Sequence, residues 1–168
     1  MKGLTVGFLT FVMIAAVAGL LLQTTLFHLL PFGSMIPDLI LVLCVYLGLH
    51  QHSVVGAAGA FLLGYFTDSF AGNVVGLHAF AMTLVFAIVY LVSRRLWMDN
   101  WVSNVAMVLV ASVLKTLTIA ALLAFVLAES YPWGRLFSAA WLEAATASLM
   151  APFVFSLLDR GRRLWGLD

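Results

Sequence analysis

The sequence predicts an all-α, polytopic integral membrane protein: six transmembrane helices in one domain over residues 1–168, with both termini in the cytoplasm. Three observations carry this reading. The chain is 64% hydrophobic and only 9% charged, whereas a soluble domain carries about 25% charged residues. Long apolar stretches alternate with short polar joints, and no Asp, Glu, Lys or Arg lies between Lys2 and Asp38. Most basic residues fall at every second joint. A chain of this size has too much surface to bury so much apolar area in a protein core, so lipid must solvate part of it.

The first helix is expected over residues 4–27. Lys2 and the Ala16-Val17-Ala18 triplet mimic a cleaved signal peptide. The apolar run continues through Leu20-Leu21-Leu22 to about Leu30, which suits a retained anchor better. Pro31-Phe32-Gly33-Ser34 then breaks the chain, and a short second helix follows over 37–49. His50-Gln51-His52-Ser53 is a polar turn in which Ser53 can cap a third helix over 53–70. Ala71-Gly72-Asn73 and Gly76 close it. The fourth helix spans 77–92 and ends in the joint from Arg94 to Asn100. The fifth spans 102–127. Glu129 to Arg135, with Pro132 and Gly134, separates it from the sixth, 136–158.

Orientation follows from the excess of Lys and Arg on cytoplasmic loops. With the N-terminus inside, Lys2, Arg94, Arg95, Arg160, Arg162 and Arg163 lie in the cytoplasm, and Arg135 alone lies outside. An odd number of spans would put Lys2 or the terminal arginines on the wrong side. Trp97, Trp101, Trp133 and Trp165 fall at the interfaces, where an amphipathic ring is most stable. The tail from Asp159 to Asp168 is expected to anchor on anionic lipid at the cytoplasmic face.

Gly56, Ala60 and Gly64 make two successive small-xxx-small steps, with Gly59 close to the same face. Another backbone can approach that face closely, either within the chain or from a partner. Ala15 and Gly19 repeat the pattern in helix one. Helix two, at about thirteen residues, rises only about 20 Å against a hydrocarbon core of about 30 Å. Irregular backbone at that depth is tolerated only under protein or water. An outer recess is therefore expected, bounded by Pro31 to Asp38 and the end of helix three, with Pro37, Asp38, Asp68, Gly72 and His78 around it.

Asp38 reads as a solvated residue at the start of helix two, where the helix dipole favours an anion. Asp68 sits in the last turn of helix three, the unfavourable end, and requires a hydroxyl, a backbone amide or a cation. Lys115 lies near the midpoint of helix five and Glu143 about two turns into helix six. Charges at such depth face protein or water. Side chains lean toward their own helix N-terminus, which in an antiparallel hairpin separates the heads of Lys115 and Glu143. Ser112, Thr116 and Thr118 are alternative partners for the lysine.

No catalytic constellation is present. His28, His50, His52 and His78 lack a metal-ligand spacing, and there is no nucleophile elbow or phosphate loop. No metal, cofactor or nucleic acid is implied. Cys44, the single cysteine, reads as a small core residue.

The stretch from Pro37 to Arg95 resembles the MreD family of bacterial rod shape-determining membrane proteins. Pro37-Asp38 opens an apolar helix, and Tyr46-Leu47-Gly48-Leu49 follows. Gly56, Gly59 and Gly64 precede Asp68 by fixed steps, then come Gly72, the Gly76-Leu77-His78 turn and Arg94-Arg95. The resemblance implies a non-catalytic scaffold of the cell-elongation machinery at the inner membrane. It implies association with MreC, with the filament protein MreB and with the glycosyltransferase–transpeptidase pair that builds lateral peptidoglycan. MreB would meet the Arg94–Trp101 joint or the basic tail. MreC would meet the small-residue face or the outer recess. Lys115 and Glu143 lie outside the family pattern. The family is also similar in architecture to the substrate-capture subunits of energy-coupling-factor transporters. That likeness makes a small-molecule site near Asp38 and Asp68 the alternative, although no cluster of polar and aromatic groups that would read a vitamin is visible.

Overall fold

The computed structural model describes residues 2–29, 37–51, 53–71, 76–95, 101–127 and 133–164. Among these it contains six α-helices: α1 (Lys2–Leu29), α2 (Leu39–His50), α3 (Val54–Ala71), α4 (Leu77–Ser93), α5 (Trp101–Leu127) and α6 (Trp133–Leu164). Gly72, His52 and Pro31 to Ser34 lie outside the described residues. The largest departure from expectation is at α6. It starts three residues early and runs through Arg160, Arg162 and Arg163 instead of releasing them as a tail. Arginine is a good helix former, and nothing in Asp159 to Leu164 breaks the backbone pattern. Gly161 in this extension lies against α1: a Cβ there would meet the Phe11 ring at 2.5 Å.

The short α2 is the axis of the bundle. It packs against α1, α3, α4, α5 and α6. Every residue from Ile40 to Gly48 is buried. A helix that is apolar on all sides must be enclosed, and this one is enclosed by the other helices. Neighbouring helices therefore cover the length that α2 lacks. Gly48 lets α4 close in, since a Cβ there would lie 2.8 Å from Val89 Cγ1.

Helices α3 and α4 form a tight hairpin around the small residues. A Cβ on Gly56 would meet the Phe86 ring of α4 at 2.9 Å, and one on Gly64 would meet Ala79 Cα at 2.4 Å and the His78 carbonyl at 2.5 Å. Ala60, between them, is fully buried, and Gly59 is buried too. Of the two readings of this face, close packing within the chain or contact with a partner such as MreC, the structure has the first. The chain's own α4 occupies it, because the α3–α4 connection is short enough to bring that helix back onto the flat side. In α1, Gly19 makes only ordinary contact with Leu39, at 3.8 Å.

The outside of the bundle is apolar. Phe70, Leu91, Phe125, Trp141, Leu149 and Phe153 are 62% to 89% exposed. A surface this greasy is stable against lipid, not water. Among the described residues, two stretches are long and apolar enough to cross a membrane, Val102–Phe125 and Ala140–Arg163, each of 24 residues. The other apolar helices are shorter in their described parts.

Gly64→Ala is expected to lower stability by about 1–3 kcal/mol, because the new methyl meets backbone that cannot swing away. Gly19→Ala has room and should change stability little. Thermal unfolding of the purified protein in detergent measures both. Equal melting of the two variants would contradict the close approach of α3 to α4.

Candidate functional site

Two carboxylates and one lysine meet where α2 begins. Asp38 is the N-cap of α2, and its Oδ1 accepts the Leu41 amide at 2.9 Å. Its Oδ2 accepts a hydrogen bond from Lys115 Nζ of α5. The same Nζ donates to Glu143 Oε1 of α6 at 3.3 Å. Pro37, one residue before, accepts from Gln23 of α1 through its carbonyl. Four helices are thus tied at one level. The Asp38 and Lys115 side chains retain 9% and 11% of their exposure, whereas Glu143 retains 40%.

This geometry corrects two expectations. Asp38 is not solvated: it is buried and neutralised by Lys115. The heads of Lys115 and Glu143 are not separated either. The lean of the Cα–Cβ bond fixes the first atom of a side chain, but a four-carbon stem and a two-carbon stem have ample reach to recover the distance. Two of the three hydroxyls considered as partners for the lysine turn to their own helix. Thr116 donates to the Ser112 carbonyl at 3.0 Å and Thr118 to the Leu114 carbonyl at 2.8 Å.

Asp68 has found backbone amides. Its Oδ2 accepts from Gly76 N at 2.9 Å and Ala79 N at 3.1 Å, and its Oδ1 accepts from His78 N at 2.9 Å. His78 Nδ1 also lies 2.9 Å from Oδ1. The carboxylate therefore sits on the N-terminus of α4, where unpaired amides and the helix dipole favour an anion. Gly76 precedes that terminus at φ 98°, a left-handed conformation suited to glycine, and has no side chain with which to cap. Asp68 supplies the cap from the preceding helix. The Gly64 contact makes this possible by seating α3 directly on Ala79.

A polar recess of about 230 Å³ opens beside the ion cluster. His78, Ser112, Lys115, Thr116, Ile119, Ala140 and Glu143 line it. Among the described residues its walls are α4, α5 and α6, not Pro37, Asp38 and the end of α3 as expected. Asp38 and Asp68 are turned inside the bundle by their bonds to Lys115 and to the α4 amides, and of the expected residues that are described only His78 reaches the recess. Among the described residues, no three potential metal ligands converge. Cys44 is buried in α2, with Sγ 3.4 Å from the Met82 carbonyl.

At the other end of α2, Tyr46 donates to Asp159 of α6 at 2.7 Å and stacks on His50 with ring centroids 4.1 Å apart. Five of the six arginines gather at this end, Arg135 lying near the start of α6. Arg94, Arg95, Arg160 and Arg163 are exposed and Arg162 is half-buried. Arg94 lies over the Tyr90 ring, 5.7 Å from its centroid. Sequence reasoning did not find the roles of Tyr46 and Gln23, because a single polar atom in an apolar run gives no pattern to follow.

An all-helical chain with an apolar exterior, arginines at one end and charges cross-linked inside belongs to the class of integral membrane proteins. Residues 4–160 match the family described as rod shape-determining protein MreD. That match covers nearly the whole chain, and the chain belongs to the MreD family. No curated protein and no solved structure matches it. The likeness to energy-coupling-factor subunits receives no support from these comparisons.

Asp68→Ala leaves three α4 amides without their acceptor and is expected to lower stability by about 1–3 kcal/mol. Asp68→Asn keeps one oxygen and should cost less. His78→Ala should cost least, since the backbone bonds to Asp68 persist. Thermal melts in detergent check the order, and an Asp68→Ala variant as stable as the parent would refute the capping role.

Proposed function

We propose that the chain is a non-catalytic scaffold of the bacterial cell-elongation machinery, crossing the inner membrane six times with both ends in the cytoplasm. The observation that carries this reading is the family match over residues 4–160. The arginines support the orientation, since five of the six collect at the end of the bundle where α4 and α6 finish. Asp38 and Asp68 are engaged in fixed bonds that hold helices, which suits a structural role.

In this role the chain joins MreC, and directly or through it MreB and the glycosyltransferase–transpeptidase pair. Its own packing limits where these contacts fall. The small-residue face of α3 is taken by α4, so a membrane partner must use the lipid-facing sides of the bundle. A cytoplasmic partner must use the exposed arginines at the ends of α4 and α6.

Depletion in a rod-shaped host is expected to give round cells, and re-expression to restore rods. Isolation from native membranes should bring down an MreC-type partner with its bulk on the periplasmic side. Fusions at residue 168 should be active for a cytoplasmic reporter and silent for a periplasmic one. Persistence of rods on depletion would overturn the role, and a periplasmic C-terminus would overturn the wiring.

A further inference from the structure

The ion cluster carries one more negative charge than positive. Lys115 is shared by Asp38 and Glu143, and Asp68 is compensated separately by the α4 amides and His78. The surplus is presented by Glu143. It engages Lys115 through Oε1 only, and its other oxygen has no partner among the described residues. With 40% of its side chain open, it faces the recess.

The recess is not closed on the lipid side. An apolar groove of about 270 Å³ adjoins it, lined by Ser112, Val113, Thr116, Leu117, Ala140, Trp141 and Ala144. Ser112, Thr116 and Ala140 are walls of both. Because the two cavities share the same turns of α5 and α6, they lie side by side at one level of the bundle. The groove is apolar and exposed, with Leu117 at 52% and Trp141 at 70%.

These features select an occupant. The site needs an apolar stem about the length of one side chain, ending in a cation. A lipid places its headgroup and chains along the normal, and headgroups lie about 15 Å from the midplane. Lys115 is near the middle of Val102–Phe125, so the cavities beside it lie at a level that headgroups do not share. A whole helix, about 10–12 Å across, is too wide for the groove. One of its side chains is not. Lysine and arginine combine an apolar stem with a charged head and bury the first while placing the second in a polar setting. Ala140, half-buried beside the groove, is small enough to let a neighbouring helix come close there.

The geometry points to the α5–α6 face as the seat of a partner transmembrane helix that carries one Lys or Arg at mid-membrane, its stem in the apolar groove and its charge on Glu143. The inference rests on the assembly role proposed above for its biological setting, but its test does not require the elongation machinery and fails independently of that role.

The test uses the full-length protein in phosphatidylcholine vesicles, with energy transfer from a dye at its C-terminus to labelled leucine-rich transmembrane peptides. The peptides carry Lys, Leu or Glu at their centre, a position at the same depth in either orientation. The Lys peptide should associate about tenfold more tightly than the Leu peptide, and the Glu peptide no more tightly than the Leu peptide. Glu143→Gln should abolish the preference for Lys. Ala140→Phe, which fills the groove and leaves the carboxylate intact, should abolish it as well; circular dichroism confirms that each variant is folded. Equal binding of Lys and Leu peptides to the parent protein would overturn the inference. So would a preference that survives both substitutions, or one that vanishes when half the lipid is phosphatidylethanolamine, which would make a headgroup amine the occupant.

Discussion

Lys115 is the charge around which the bundle is arranged. A cation near the middle of an apolar helix is costly to leave alone in lipid. Here it is met by Asp38 of α2 and Glu143 of α6. Asp38 has a second duty as the N-cap of α2. The two duties set the length of that helix. From its C-terminal end, α2 climbs 12 residues, about 18 Å, to reach Asp38, and α5 climbs about 21 Å from its start to reach Lys115. Helix two is short because it must begin at the level where the lysine waits. Its enclosure by five neighbours follows, since an apolar helix that stops part-way across must be covered by protein at its open end.

The hairpin of α3 and α4 solves a second electrostatic problem with backbone instead of a counter-ion. Asp68 stands at the end of α3 that disfavours an anion. Gly64 removes the side chain that would keep α4 away, Gly76 turns the chain, and the amides of Gly76, His78 and Ala79 arrive on the carboxylate. The glycine–aspartate spacing of this sequence thereby acquires a structural meaning. The glycines and the aspartate form one device that docks the start of α4 on the end of α3.

Much of the fold is legible in the sequence, for a physical reason. Lipid imposes long apolar runs and polar joints, and both survive in one dimension. The positions of all six helices follow from that alone, and so does the conclusion that Asp68 needs a partner. The pairing of charges is not legible, because it depends on which helices lie side by side and on where flexible side chains end. Lys115 and Asp38 are 77 residues apart, and no periodicity links them. The lean of Cβ atoms gives the wrong answer for Lys115 and Glu143 because it ignores the stems beyond Cβ. The end of α6 is misplaced for a related reason. Charged residues mark the edge of the membrane, and a helix need not stop there. The small-residue stripe announces a close contact, but only the structure identifies α4 as its occupant.

In the scaffold role proposed above, a rigid interior is itself functional. Internal ion pairs fix the relative positions of α2, α5 and α6, and the Gln23–Pro37 hydrogen bond ties α1 to them; under that proposal the α5–α6 groove and the arginine end are the surfaces for partners. The most direct measurement is a double-mutant cycle between Asp38→Asn and Lys115→Met, read by unfolding in a lipid bicelle. Asparagine preserves the cap, so the cycle isolates the charge interaction. The account requires strong coupling, about 1.5 kcal/mol or more, with the double variant losing less than the sum of the two single losses. Additive losses would mean that the two charges do not depend on each other, and that helix two takes its length from something else.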